Sequence, residues 1–263
     1  MFPIIFQFNS ITIYSFGLFS ALGFIVAVFF LVATSRRSKL SLDFLSDHLW
    51  LFFVVALIGA RLSFVLENWS SFQIVPFSAF YFWEGGFTLS GGIIGLILTL
   101  LFFCKKHGEK FLKWIDVVVM GGLLGLSFVD IGCLLDGCNY GKPTQLPWGI
   151  AFENIELPYA IPLHPTQIYS AIFHILIAFL LYRWWRKKPG KGKVGLLGLI
   201  LSAFFNFFND FLRGDPATLF FNFLRTDQIF YLSLFLICGI LLLKYEYLIP
   251  HDTIPATKLH QKE

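Results

Sequence analysis

The run Leu163-His164-Pro165-Thr166-Gln167-Ile168-Tyr169-Ser170 puts an imidazole, an amide and a phenol within about two helical turns of one another. Proline is favoured at the first helical position, so Pro165 reads as a helix start with Thr166 and Gln167 in the first turn. His164 then stands just outside that helix, near backbone N–H groups suited to an anion. An imidazole is largely neutral at pH 7, and only the neutral ring accepts a proton. His164 is the expected proton acceptor here, with Gln167 and Tyr169 orienting it or a polar headgroup; the plainer alternative is that it only anchors the helix. Further on, Asp210 and Arg213 lie three apart in Phe-Asn-Asp-Phe-Leu-Arg, on one helical face where they pair. Arg213 then reads as a snorkelling interfacial charge or as a clamp for phosphate, whose oxygens a guanidinium meets bidentately. Arg61 and Asp130 each sit in an apolar run. Each is costly alone in hydrocarbon, so the two are expected to pair.

Two stretches, Gly91-Gly92-Ile93-Ile94-Gly95 and Gly121-Gly122-Leu123-Leu124-Gly125, carry a small-residue spacing that lets helix backbones approach closely. They read as helix packing, or as a groove where a headgroup lies against backbone. The cysteines Cys104, Cys133, Cys138 and Cys238 lie in or at the ends of apolar segments. Without a neighbouring His or Cys cluster they read as buried thiols, not as a metal site.

These residues need elements to hold them. Of 263 residues, 57% are apolar and only 14% charged, and mean hydropathy is +0.73. That excludes a disordered chain, a secreted disulfide scaffold and an ordinary cytosolic enzyme. The apolar runs are too long for barrel strands, so the expected fold is all-α and integral to the membrane. Seven spans are expected near 11–33, 46–66, 88–104, 114–134, 166–183, 194–212 and 228–244, in one domain over 1–263. The N-terminus lacks a basic region before its apolar run, so the first span is expected to stay in place. Sixteen of the twenty Lys and Arg residues fall in the loops after spans one, three and five and in the tail. Basic loops mark the cytoplasmic side, so the N-terminus is expected outside and the C-terminus inside. The long loop 135–165, with Asp136, Asn139, Tyr140, Lys142, Glu153, Glu156 and His164, is then external. A net charge of +4 is too small to argue for nucleic acid.

At this point the residues resemble a known family. His-Pro-Thr-Gln-Ile-Tyr is similar to an element of the bacterial prolipoprotein diacylglyceryl transferases. So are Tyr14-Ser15-Phe16-Gly17, Gly-Ala-Arg-Leu-Ser-Phe-Val around Arg61, Phe82 to Gly95, Asp130 to Gly149, and Phe211 to Asp215. Singly these motifs are weak; their order and spacing together are specific. The resemblance implies transfer of the diacylglyceryl group of phosphatidylglycerol to the lipobox cysteine thiol in the signal peptide of a prolipoprotein, with release of glycerol phosphate. It implies a multi-pass protein of the bacterial cytoplasmic (inner) membrane, with no metal or other cofactor. It implies catalytic parts for His164, Arg61, Tyr14 and Asp210. Contacts to lipid or substrate are implied for Asp130, Gly85, Gly86, Gly91, Gly92, Asp136, Gly137, Tyr140, Gly141, Gln167, Tyr169, Arg213 and Arg225. The sequence departs from the family pattern at three places: Asp130 stands where an Arg is usual, Ser90 where a His is, and Asn206 where an Arg is. Two alternatives follow: a relative without activity that binds lipid or signal peptide, and a small membrane transporter whose path is marked by Arg61, Asp130 and Asp210.

Overall fold

A computed structural model describes residues 2–8, 11–151, 161–215, 219–220 and 223–248. Glu153, Glu156 and the tail lysines Lys258 and Lys262 lie outside them. The chain opens with a hairpin, β1 (Ile4–Phe8) against β2 (Ile11–Tyr14), antiparallel with Phe6 opposite Ile13. Eight helices follow: α1 (Ser15–Ser38), α2 (Leu42–Glu67), the single turn α3 (Trp69–Phe72), α4 (Leu89–His107), α5 (Phe111–Asp136), α6 (Thr166–Trp185), α7 (Lys193–Leu212) and α8 (Thr226–Leu248). A second hairpin, β3 (Leu219–Phe220) with β4 (Leu224–Arg225), precedes α8. Two 3-10 turns, Pro76–Phe80 and Phe82–Glu84, lead from α3 to α4. Among the described residues seven helices are long and apolar enough to cross a membrane, and they are the seven expected spans; the protein is a multi-pass membrane protein.

The first span begins later than expected. Ile-Thr-Ile-Tyr at 11–14 is β-branched and alternating, a pattern that pairs as strand more readily than it coils. The hairpin is tied to the far end of α5, because Phe2 N–H donates to the Leu135 carbonyl.

Helix α5 is the hub. It packs along α1, α6 and α7, α8 packs on α7, and α2 and α4 form a second pair. Its buried face carries Trp114, Val117 and Met120, closed off by Val194 and Leu181 from the neighbouring helices. Small residues set the close approaches. A Cβ on Gly125 would come within 2.9 Å of the Gly23 carbonyl on α1, and one on Gly91 within 2.2 Å of the Gly59 carbonyl on α2. The glycine stretches are therefore packing seams at Gly91, Gly95, Gly121 and Gly125. At Gly91 the face is covered by Gly59 and Ser63 of α2, which is the packing reading of these stretches. Gly92 has only van der Waals neighbours, from Ala56 and Ala60 of α2.

The entry to α7 is held from another helix. Asp116 on α5 is buried, and its carboxylate accepts from Gly192 N–H and Gly195 N–H at 2.7 Å each. A carboxylate at a helix start answers both the unpaired amides and the positive end of the helix dipole. Asp116→Ala is expected to cost about 2–3 kcal/mol, read as a lowered thermal midpoint in detergent, and Asp116→Asn less. An unchanged midpoint in Asp116→Ala would remove this contact from the fold's energetics.

Candidate functional site

The polar residues gather at one end of the bundle, where α5 ends, α6 begins, α7 ends and α8 begins. Helix α5 stops because Gly137 takes a left-handed conformation (φ 93°), with both Gly137 and Cys138 N–H donating to the Cys133 carbonyl. This turn folds position 138 back over position 133, the side-chain contact usual in such a cap. Here it is a Cys133–Cys138 disulfide with Cα atoms 5.0 Å apart. That corrects the expectation of two buried free thiols; Cys104 and Cys238 remain free and buried.

Beyond the cap the chain is laced to the start of α6 and the end of α7. Gly141 N–H donates to the His164 carbonyl and His164 N–H to that of Lys142, each at 3.0 Å. Lys142 N–H reaches the Leu212 carbonyl, and Gly214 N–H that of Tyr140. Gly141 allows this closeness: a Cβ there would lie 2.4 Å from that of His164. Thr166 Oγ1 donates to the Asn139 carbonyl and the buried Gln167 Nε2 to that of Cys138. Gln167 thus fastens the loop and does not orient His164. Asp136, the last residue of α5, is exposed.

His164 Nδ1 lies 3.3 Å from the Tyr169 hydroxyl, which receives the Trp148 Nε1–H at 2.8 Å. An indole N–H only donates. The Tyr169 oxygen therefore accepts from Trp148, and its remaining hydrogen and lone pair let it either donate to His164 Nδ1 or accept from it. A neutral ring accepting at Nδ1 carries its proton on Nε2.

The expected Asp210–Arg213 pair is present at 3.3 Å, inside a larger cluster. Arg213 donates from Nε and Nη2 to both oxygens of Asp215, at 2.9 and 2.8 Å, and from Nη2 to Asn139 Oδ1 at 2.8 Å. Asp227 lies 3.6 Å from the same guanidinium. Arg225 reaches the Asp215 carboxylate at 2.9 Å and its carbonyl at 3.0 Å. Three carboxylates thus face two guanidiniums. Burial acts to raise the Asp215 carboxyl, but Arg213 and Arg225 overcome it and hold the group below the usual carboxylate range. Arg213 is no open phosphate clamp in this arrangement, since carboxylates already occupy its donors.

Arg61 and Asp130 do not meet, which corrects the expected pairing. Arg61 is 5% exposed. It donates to the carbonyls of Ser78 (2.7 Å), Ala79 (3.0 Å), Gly86 (3.1 Å) and Gly85, all in the segment between α3 and α4. Rings of Phe64, Phe72, Phe82 and Phe87 surround it at 5.6–6.0 Å. Backbone carbonyls satisfy a guanidinium's geometry without a counter-charge. Gly85 and Gly86, both at positive φ, turn their carbonyls to Arg61 and cradle it. A cavity of about 210 Å³ adjoins the cradle.

Asp130 instead meets His174 on α6, its Oδ2 2.7 Å from Nδ1. Ser90, at the place of the family's usual His, is buried on α4 with its hydroxyl unpartnered among the described residues. Tyr14, at the joint of β2 and α1, is 56% exposed. His174, Trp148, Asp215 and Asp227 were not reached from the sequence. For His174 a signal exists: it is a titratable side chain in the middle of an apolar span, which is rarely idle.

Over residues 3–245 the chain matches the family model for prolipoprotein diacylglyceryl transferase. It is 35% identical over 215 residues to the phosphatidylglycerol–prolipoprotein diacylglyceryl transferase of Clostridium tetani, covering 81% of this chain and 86% of that one. The second such transferase of Clostridium perfringens is 32% identical over 232 residues, covering 88% and 90%. That of Vibrio atlanticus is 29% identical over 265 residues, covering 96% and 94%.

Proposed function

Because the chain belongs to the prolipoprotein diacylglyceryl transferase family, we propose that it moves the diacylglyceryl group of phosphatidylglycerol onto the lipobox cysteine of a prolipoprotein. The match over residues 3–245 carries this reading. We propose the bacterial inner membrane as its site, with the N-terminus and the loop 135–165 outside, an orientation that the distribution of Lys and Arg supports. Lipid and signal peptide reach the site sideways from the bilayer. The thiol must become a thiolate to act as nucleophile. It attacks the glyceryl carbon, the carbon–oxygen bond breaks, and glycerol phosphate leaves with the electron pair.

The leaving phosphate gains charge and needs donors aimed at it. We assign His164 that part, and not the base expected from its sequence context, taking Tyr169 as the donor to its Nδ1, which puts the ring proton on Nε2. The exposed Lys142, paired through backbone with His164, adds a cation beside it. Asp210, Arg213, Asp215 and Arg225 are assigned to hold the two ends of α7 and α8 together around the site. A second reading, a relative that binds lipid or signal peptide without turnover, is favoured by the occupied guanidiniums of Arg213 and Arg225.

The test is transfer itself, in nanodiscs containing phosphatidylglycerol with a lipobox peptide. Peptide gaining the mass of a diacylglyceryl group, with glycerol phosphate released, supports the enzyme; binding without product supports the second reading. His164→Phe is expected to slow transfer about 100-fold. His164→Gln, which keeps a donor, retains most of the rate; a Gln variant as slow as the Phe variant would return the base role to His164.

A further inference from the structure

We propose that Asp130 and His174 form a buried dyad in which His174 Nε2 takes the proton from the substrate thiol, an inference that rests on the transferase reading above. The two side chains meet across α5 and α6 at 2.7 Å, Oδ2 to Nδ1. An ionised carboxylate only accepts. With Asp130 ionised, the His174 proton sits on Nδ1, and Nε2 carries the lone pair. That Nε2 is buried and has no hydrogen-bond partner among the described residues. An unpartnered polar atom in an apolar interior is costly, and in this tautomer Nε2 is the ring atom equipped to receive a proton. In this assignment the two histidines are opposites: with Tyr169 donating to Nδ1, His164 is a donor at Nε2, and with Asp130 accepting from Nδ1, His174 is an acceptor at Nε2. Environments that divide like groups into an acid and a base are the usual mark of proton-transfer chemistry.

The position suits a thiol brought in by a signal peptide. Asp130 lies six residues before the end of α5 and His174 eight residues into α6, roughly 9 and 12 Å below the polar end. The Asp130 side chain keeps 18% of its surface exposed while that of His174 keeps 4%, so the Asp130 side of the pair is the less buried one. The charged and titratable groups near it come from α5, α7 and α8. Asp130 belongs to α5, Asp210 to α7 with one oxygen also unpartnered, and Tyr231 of α8 is buried within electrostatic reach of both carboxylates. Phe173 stacks on Phe205 at 3.9 Å, and Ser170, one turn before His174, receives Asn209. These contacts fix α6 against α7 on either side of the ring.

The step balances without a further reactant. The Sγ–H bond breaks and its proton goes to Nε2; the sulfur pair forms the bond to the glyceryl carbon; the carbon–oxygen pair leaves with the phosphate. The imidazolium, held by Asp130, then returns its proton to the departing phosphate or to water. His174 is the catalytic residue of this step and Asp130 the positioning residue.

His174→Gln, assayed in phosphatidylglycerol nanodiscs, should lower kcat at pH 7 by about 100-fold or more. With the base gone, hydroxide must ionise the thiol, so the variant's rate should climb about tenfold per pH unit toward the thiol's own pKa of about 8.5. Asp130→Asn should lower kcat while leaving KM unchanged, and the double variant should be no slower than His174→Gln alone. A His174→Gln rate near wild type, or one equally slow at every pH, overturns the proposal. Nitrogen-15 spectra of histidine-labelled protein, with His174 assigned by its loss in the variant, should show the Nδ1-protonated tautomer; an Nε2-protonated ring also overturns it. Absence of transfer by the wild type would count against the transferase reading, and the tautomer, which needs no substrate, still judges the dyad.

Discussion

Asp215→Ala is expected to lower stability by about 3–5 kcal/mol, because it leaves two poorly exposed guanidiniums without their shared partner. Asp215 takes two hydrogen bonds from Arg213 through both its carboxylate oxygens, and two from Arg225, one through its carbonyl. Alanine keeps the carbonyl contact and removes the other three. What remains is Arg213 against Asn139 Oδ1 at 2.8 Å, Asp210 at 3.3 Å and Asp227 at 3.6 Å, and Arg225 on a carbonyl alone. The same residue gives the cluster a pH dependence of defined sign. Its carboxyl is held below the ordinary value, with burial opposing and the two arginines prevailing. A depressed carboxyl stabilises fully above its unfolded pKa of about 3.9 and loses that contribution as pH falls through the folded value. Thermal midpoints in detergent should therefore drop between about pH 5 and pH 3 in the wild type, and more shallowly in Asp215→Ala. Parallel pH curves for the two proteins would show that Asp215 does not carry the effect.

Arg61→Ala should be comparably damaging, at about 3–5 kcal/mol, and Asp130→Ala should not rescue it. The four carbonyls that Arg61 satisfies belong to residues 78–86, on the stretch that joins α3 to α4. Truncation leaves those carbonyls facing phenylalanine rings instead of donors. Arg61→Lys keeps the charge but lacks the planar fork, and should recover only part of the loss. Hydrogen exchange should localise the damage: amides between about 73 and 88 should lose protection while the α5–α6 contact keeps its own. Recovery of folded yield in the Arg61→Ala, Asp130→Ala double variant would restore the pairing that the geometry denies.

These two residues show where reading the chain was sufficient and where it was not. Arg61, Asp130 and Asp210 were recognisable as charges that need partners, since burial cost depends on residue type and the apolar run around it. Which partner each takes depends on which helices touch. Residues 61 and 130 lie on α2 and α5, and α2 packs chiefly on α4. The nearest help for Arg61 was therefore a run of backbone carbonyls, which no pattern of charged residues reveals. Asp210 and Arg213 were legible as a pair because a three-residue spacing fixes their geometry within one helix.

By itself the sequence determined the seven spans, the small-residue seams and the end of α6 that carries His164, because those follow from hydrophobic run length, residue size and the fixed torsion of proline. It also determined the family, through motifs whose order no local accident reproduces. Tertiary structure alone decided that Cys133 meets Cys138, that Asp116 caps a helix 76 residues away along the chain, and that Asp130 faces His174 while Tyr169 faces His164. The reason is physical: an imidazole's tautomer is set by whichever group faces its second nitrogen, and that neighbour comes from packing.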